Sequence, residues 1–152
     1  MRTLIQRVSR ASVDIKNETV GEITAGLVAL IGIKEGDDAH VAQQMVDKIV
    51  NLRIFEDDQG KMNLSALQVD AQILAISQFT LYADCSRGRR PSFVQAALPD
   101  VSKPLYQQMI AMLKSTGLMI QHGVFGAEMA VYIVNSGPVT IMLDSDDWRK
   151  SK

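Results

Sequence analysis

A continuous apolar run from Leu27 to Ile33 is the feature that most restricts the fold of this chain. Such a run is typical of a strand that is buried on both faces. A second apolar run, Ile73 to Ile76, lies within another predicted buried strand, Gln72 to Gln78. Strands of this kind need other layers of structure above and below them, which indicates a layered architecture around a sheet.

Shorter alternating segments add further strands, and two amphipathic segments add helices. The additional predicted strands are 3–9, 11–16, 19–24, 53–56, 118–124, 129–135 and 139–143, with a turn at 16–18. The first helix is expected to be capped by Asp37 or Asp38, and the second to start near Ser102 with Pro104 in its first turn and to end at Gly117. Residues 84–99 are ambiguous, and 92–97 is compatible with a helical turn.

These elements predict an α/β fold: a single domain covering 1–152, with a mixed β-sheet in two β layers and two main helices packed on one face. There are few helices for about eight strands, so a second β layer or a partner subunit is expected to cover the exposed sheet face. The chain has 152 residues, 47% hydrophobic and 22% charged, as is common for a globular domain. Its single cysteine and its lack of a long apolar stretch predict a cytoplasmic protein without membrane association.

Two short polar segments follow or join apolar runs: Ser77-Gln78-Phe79-Thr80-Leu81 and Asn135-Ser136-Gly137-Pro138-Val139-Thr140. The first places backbone amides at a strand end, and the second contains Gly-Pro, which permits an unusual backbone path. No general base stands near Ser77 or Thr80 in the sequence, so the amides of Phe79 and Thr80 fit an oxyanion hole better than the hydroxyl groups fit a nucleophile. The alternative to a nucleophilic Thr80 is a structural role, in which its hydroxyl forms a hydrogen bond with the local backbone at the strand end.

Polyanion binding is predicted to depend on local basic segments. The net charge is −1, so a nucleic acid has to be held by a local basic patch, and the densest is Arg87-Gly88-Arg89-Arg90. A solvated loop is the alternative interpretation of these arginines. The basic tail, 148–152, is a weaker candidate.

The remaining reactive side chains favour structural roles. His40 is expected at the surface, and His122 and Cys85 are expected to pack rather than to form a catalytic pair. The acidic residues Asp144, Asp146 and Asp147 are expected to be solvated. No spacing of cysteine, histidine or carboxylate residues matches a metal site, and there is no glycine-rich phosphate loop, so no cofactor is expected.

The chain resembles the D-aminoacyl-tRNA deacylase family from end to end. The resemblance rests on the two segments above together with Gln6-Arg7-Val8, Ala11-Ser12-Val13, Gly26–Gly32, Lys48–Asn63 and Gly88–Phe93. It implies an editing hydrolase that cleaves the ester of D-aminoacyl-tRNA, and a homodimer with its active sites at the subunit interface. The catalytic residues would be Ser77, Gln78, Phe79 and Thr80 of one chain.

The resemblance also implies how L-aminoacyl-tRNA is rejected. A cis Gly137-Pro138 bond of the partner chain would present carbonyl groups to the substrate amine, leaving room for a D side chain or for glycine and blocking an L side chain. Arg7 would support this loop, Phe125 and Met129 would line the pocket, and Arg87, Arg89 and Arg90 would bind tRNA. Two alternatives stay open: a non-catalytic RNA-binding module, and a small-molecule esterase with a Ser77 or Thr80 nucleophile.

Overall fold

The computed structural model describes residues 1–149, and the end of the predicted basic tail lies outside them. Its strands are β1 (Arg2–Ile15), β2 (Glu18–Ile23), β3 (Gly26–Gly32), β4 (Phe55–Glu56), β5 (Met62–Leu64), β6 (Gln72–Ser77), β7 (Ile120–His122) and β8 (Ala130–Asp144). Its helices are α1 (Ala39–Asn51), α2 (Ala66–Val69), α3 (Pro99–Lys114) and α4 (Ser145–Arg149), with a 3₁₀ helix at Phe79–Tyr82. No helix in this part of the chain is both long and apolar enough to cross a membrane.

The long strand β1 organises the main sheet. The prediction of two separate strands, 3–9 and 11–16, is wrong, because β1 runs without interruption and pairs with β8 over nearly its whole length. The register with β8 shifts twice near Val8, and the buried side of β1 changes there. Ile5 therefore faces one core and Val13 faces another, so that one strand serves two layers.

The main sheet is mixed, and it folds so that its two halves face each other. Its order is β2-β1-β3-β6-β7, with β8 also paired to β1; β3–β6 and β6–β7 are parallel and the other pairs are antiparallel. A small core that includes Val13, Ile23, Val28 and Leu74 lies between the two halves of the sheet. The predicted pair of β layers is thus formed by a single folded sheet.

Helices α1 and α3 pack together over the other core, on the β3–β6 side of the sheet. Asp38, one of the two predicted caps, accepts a hydrogen bond from the Val41 amide at 2.9 Å. Helix α3 begins at Pro99 and not at Ser102, so Pro104 lies inside the helix and not in its first turn. Pro104 has no N–H to donate to the Asp100 carbonyl four residues earlier. This loss is tolerated because Asp100 is exposed, so that water can supply a donor.

Several shorter elements differ from the predictions. Strand 53–56 contracts to β4 and pairs with β5, which was not predicted, and 118–124 contracts to β7. The two predicted C-terminal strands are the continuous β8. Helix α2 was also missed, although Ser65 and Gln68 form a capping box that signals its start. Residues 92–97, predicted to be compatible with a helical turn, form a hydrogen-bonded turn between two isolated bridges, at Ser92 and Ala96.

Ion pairs and hydrogen bonds connect the short helix α4 and the residue before it to Met1, Arg2 and Lys34. The expectation that Asp144 and Asp146 are simply solvated is therefore wrong. Lys34 Nζ contacts Asp146 at 2.5 Å, and Arg2 Nε donates to Asp144 at 2.8 Å. The Met1 ammonium group donates to Ser145 Oγ at 2.6 Å and to the buried Asp37 at 2.9 Å. Asp37 is therefore an ion-pair partner rather than the cap of α1.

We expect acid to release α4. The hydrogen bond from Lys34 lowers the pKa of Asp146; burial alone would raise the pKa of Asp144, but Arg2 lowers it overall. Carboxyl groups with a lowered pKa stabilise the fold above their ordinary value near 3.8, and this stabilisation is lost as the pH falls through the folded-state values. Trp148, the sole tryptophan, packs against the core. Its emission should therefore stay constant as the pH falls to about 3.8, and should shift at lower pH. A shift that starts near neutral pH would contradict this assignment.

Candidate active site

The main cleft opens where β6 ends. It has a volume of about 570 Å³. Ser77, Gln78 and Phe79 form one wall, and Phe125 and Met129, which follow β7 in the chain, contribute a second wall. None of the residues that line the cleft carries an ionisable side chain. The cleft therefore suits a ligand recognised by shape and by neutral hydrogen bonds, because nothing in its walls supplies a charge.

The first polar segment turns sharply out of the sheet. The Gln78 amide donates to the Ile31 carbonyl at 2.7 Å, and the 3₁₀ helix starts at the next residue. The first amides of a helix have no partner within the helix, so the N–H groups of Phe79 and Thr80 are available to an acceptor. The Phe79 ring is 56% exposed beside the cleft. The structure therefore places two donor amides at the end of β6; of these two residues, Phe79 lines the cleft and Thr80 does not.

The Thr80 hydroxyl lies beside a side-chain amide. Its oxygen accepts a hydrogen bond from Gln78 Nε2. An amide N–H cannot remove a proton, so this contact orients the hydroxyl without activating it as a nucleophile. Of the other candidates, Cys85 is exposed, and His122 Nδ1 lies 2.8 Å from the Gly123 carbonyl. No hydrogen bond between Cys85 and His122 occurs in the described chain.

The second polar segment forms a bulge in β8. Gln6 pairs with Thr140 and Val8 with Asn135, so residues 136–139 stand opposite Arg7 alone. The Gly137-Pro138 peptide bond is cis, as the resemblance implied, and Gly137 has a φ of +120°. Only glycine adopts such a φ readily, which explains the residue at this position.

Arg7 holds this bulge against the rest of the chain. Its side chain is nearly buried, and its Nε donates to the Ser136 carbonyl at 3.1 Å. Its Nη1 donates to the Ile54 carbonyl at 2.7 Å, which ties the bulge to the start of the β4–β5 hairpin. Within one chain, Arg7, Gly137 and Pro138 do not line the cleft. The sites expected to act together are therefore separate in a single subunit.

The loop that carries Arg87-Gly88-Arg89-Arg90, called the basic loop below, lies next to the cleft. Asp84 and Ser92 close its base through two backbone hydrogen bonds of 2.7 and 2.9 Å. Arg87, Arg89 and Arg90 are exposed between them. Phe93 follows directly and packs edge-on against Phe79, with ring centroids 5.1 Å apart. A polyanion bound to the loop would thus lie close to the first polar segment.

Comparison with known proteins shows the family of this chain. Residues 4–144 match the model of the D-Tyr-tRNA(Tyr) deacylase family. The chain is 53% identical over 146 residues to the D-aminoacyl-tRNA deacylase of Halothermothrix orenii, covering 96% of this chain and 98% of that one. The corresponding protein of Thermosipho africanus is 48% identical over 145 residues, covering 95% and 97%. The chain belongs to the D-aminoacyl-tRNA deacylase family.

Solved structures show the same fold. A c-Myc DNA unwinding element binding protein superposes with a TM-score of 0.89 at 39% identity, covering 95% of this chain and 98% of that one. A probable eukaryotic D-amino acid tRNA deacylase superposes with a TM-score of 0.79 at 16% identity, covering 93% and 97%. The α/β architecture predicted from the sequence is confirmed by these superpositions.

Sequence reasoning missed part of the deacylase cleft. Phe93, Ala97 and Leu98 line it, yet they come from the segment that was left ambiguous. Ile31 at the end of β3 and Ile33 just after the strand also contribute. A signal for Phe93 was present, because it closes the Gly88–Phe93 match to the family. Of the described residues, no three from histidine, cysteine, aspartate and glutamate are grouped so that they could hold a metal ion.

Proposed function

We propose that this chain hydrolyses the ester bond of D-aminoacyl-tRNA and releases free D-amino acid and tRNA. Membership in the deacylase family makes it a carboxylic ester hydrolase of this class. The observation that carries the proposed mechanism is the neutral cleft beside the available amides of Phe79 and Thr80. We further propose a cytoplasmic protein, formed by residues 1–152 as one domain.

The proposed chemistry needs no side-chain nucleophile. The substrate carbonyl oxygen accepts hydrogen bonds from the two amides, and these strengthen as negative charge develops on it. Water adds to the carbonyl carbon, the bond to the ribose oxygen breaks, and that oxygen leaves with a proton. Ser77 and Gln78 shape the turn that aims the amides, and Gln78 also orients the Thr80 hydroxyl.

Recognition of the substrate amine is proposed to use groups from outside the cleft of one chain. A protonated α-amine seeks carboxylate or carbonyl oxygens, and the cleft walls contain no carboxylate side chain. We propose that the Gly137 and Pro138 carbonyl groups of a second copy supply these acceptors. The exposure of both residues on β8 makes them accessible to such a copy.

A second copy also explains the surface of β8. Tyr132, Val134 and Met142 are large exposed side chains along this one strand. Their burial against an identical strand would form a two-fold interface and place each Gly137-Pro138 bulge near the cleft of the other chain. We therefore propose a homodimer with two active sites at its interface.

The proposed enantiomer selection follows from holding two groups of the substrate, the amine and the carbonyl group. Once the amine and the carbonyl group are held, the Cα of the substrate can project its side chain in only two directions. The bulge blocks the direction of an L side chain, and the D direction stays open, with Phe125 and Met129 lining the pocket. Glycine has no side chain to exclude, so glycyl-tRNA mischarged on a non-cognate tRNA is a second proposed substrate.

Incubation with matched D- and L-tyrosyl-tRNA and with glycyl-tRNA tests this function. We expect release of D-tyrosine and glycine, with L-tyrosyl-tRNA left intact. Equal hydrolysis of both enantiomers would contradict the selection mechanism. Binding without hydrolysis would favour a nucleic-acid-binding module, the activity for which the 39% identical DNA unwinding element binding protein is named. Hydrolysis of simple esters without RNA would favour a general esterase.

We expect the basic loop to contribute to tRNA affinity and not to chemistry. The double change Arg89→Ala and Arg90→Ala should weaken binding and reduce the slope of log Kd against log salt by about one per lost phosphate contact. Titration of tRNA at several salt concentrations measures both. Lys114→Ala, an exposed change at the other end of α3 from the cleft, is the control and should leave the slope unaltered. An unchanged slope in the double variant would assign the arginines to a solvated loop.

A further inference from the structure

The two walls of the cleft separate at the Ala75 carbonyl group. Pairing between β6 and β7 ends at Ala75 and His122. Beyond this point β6 continues to Ser77, while the other chain segment leaves through Gly123 toward Phe125. The Gly123 amide donates to the Ala75 carbonyl at 3.2 Å. This carbonyl is therefore the last backbone link between the two walls.

Tyr106 of α3 donates a second hydrogen bond to the same carbonyl. Its hydroxyl lies 3.1 Å from the Ala75 oxygen, and the residue is 3% exposed. Its ring also packs against Phe125, with centroids 5.9 Å apart. Burial raises the pKa of Tyr106, so the hydroxyl remains a neutral donor throughout the working pH range.

Tyr106 reaches both walls without lining the cleft. The hydroxyl fixes the strand that leads to the amides of Phe79 and Thr80, and the ring supports the second wall. Met129 of the same wall packs closely on Gly123, where a Cβ would lie 2.5 Å from Met129 Sδ. We propose that the Tyr106 hydroxyl is a positioning group that sets the alignment of the oxyanion-binding amides relative to the Phe125 wall.

This inference rests on the proposed function and extends it to a residue beyond the cleft. A small displacement of transition-state donors lowers kcat, because these donors contact the substrate most strongly as charge develops. Substrate binding depends on the walls, and phenylalanine at position 106 keeps the ring that supports Phe125. The hydroxyl is therefore expected to affect kcat more than KM.

The test compares Tyr106→Phe with Tyr82→Phe. Tyr82 is also buried, and no group in the described chain forms a hydrogen bond with its hydroxyl. Both variants lose one buried hydroxyl oxygen. Comparing them therefore separates the loss of the Tyr106 hydrogen bond to Ala75 from the general effect of removing a buried oxygen. We expect Tyr106→Phe to lower kcat for D-tyrosyl-tRNA about tenfold with KM within about twofold, and Tyr82→Phe to leave both unchanged.

Amide hydrogen exchange gives a measurement that does not depend on activity. In Tyr106→Phe, the Gly123 amide should exchange about tenfold faster, since its acceptor is less firmly held, while the core amides of β3 keep their protection. An unchanged kcat in an active enzyme, or unchanged exchange at Gly123, would overturn the proposal. An inactive wild type would contradict the proposed function instead, and the exchange result would then decide the role of Tyr106.

Discussion

Gly137→Ala is expected to lower deacylation of D-aminoacyl-tRNA by at least about 100-fold. A Cβ at this position would lie 2.9 Å from Arg7 Nη2 and 3.2 Å from the Val139 amide nitrogen, and the φ of +120° already disfavours an L residue. Arg7 cannot yield freely, because its guanidinium group binds two backbone carbonyls. The bulge must therefore shift, and the proposed amine acceptors shift with it.

Gly36→Ala is the matched control for this prediction. Gly36 also has a positive φ, +88°, but a Cβ there would meet no atom within 4 Å. Both variants should lose about 1–3 kcal/mol of stability from backbone strain, measured by thermal unfolding. Only Gly137→Ala should lose activity when both proteins are folded. Full activity in Gly137→Ala would remove the bulge from the mechanism.

Thr80→Pro and Thr80→Ala are expected to differ widely in kcat. Proline deletes the backbone N–H but suits the first turn of a helix, where Thr80 lies. Loss of one oxyanion donor costs about 10²–10³-fold in kcat. Alanine keeps the N–H and removes only a hydroxyl that no base activates, so its kcat should stay within about tenfold of the wild type.

Single-turnover hydrolysis of D-tyrosyl-tRNA measures this difference. Circular dichroism of both variants controls for folding, because proline also restricts the preceding Phe79. A kcat near zero for Thr80→Ala, together with an acyl-enzyme trapped on Thr80 of the wild type, would instead assign the hydroxyl as a nucleophile.

Local patterns in the sequence were sufficient to predict most of the sheet and both main helices. Except for Ile33 just after β3, the apolar runs at 27–33 and 73–76 lie in β3 and β6, since strands that are buried on both faces carry such continuous apolar runs. The change of the buried side along β1 was not predictable in the same way. It depends on the register shifts against β8, which are long-range and leave no distinct residue pattern around Val8.

The candidate site was predictable where backbone chemistry leaves a signature. Ser77–Thr80 and Gly137-Pro138 were identified from polar or glycine-containing steps beside apolar strands. Tyr106 was not, because a tyrosine on the buried face of a helix has the same pattern as an ordinary core residue. Its role depends on meeting the Ala75 carbonyl, 31 positions away in the chain.

Mixed dimers test the central claim, that each active site combines two chains. Gly137→Ala and Thr80→Pro chains are co-expressed with different carboxyl-terminal tags, since the Met1 ammonium group is buried against Asp37, and the mixed dimer is purified through both tags. Each parent should be inactive, whereas the mixed dimer has one site with both the intact amides and the intact bulge. We predict about half of the wild-type activity on D-tyrosyl-tRNA. A mixed dimer as inactive as its parents would show that the bulge and the amides act within one chain and would contradict the account.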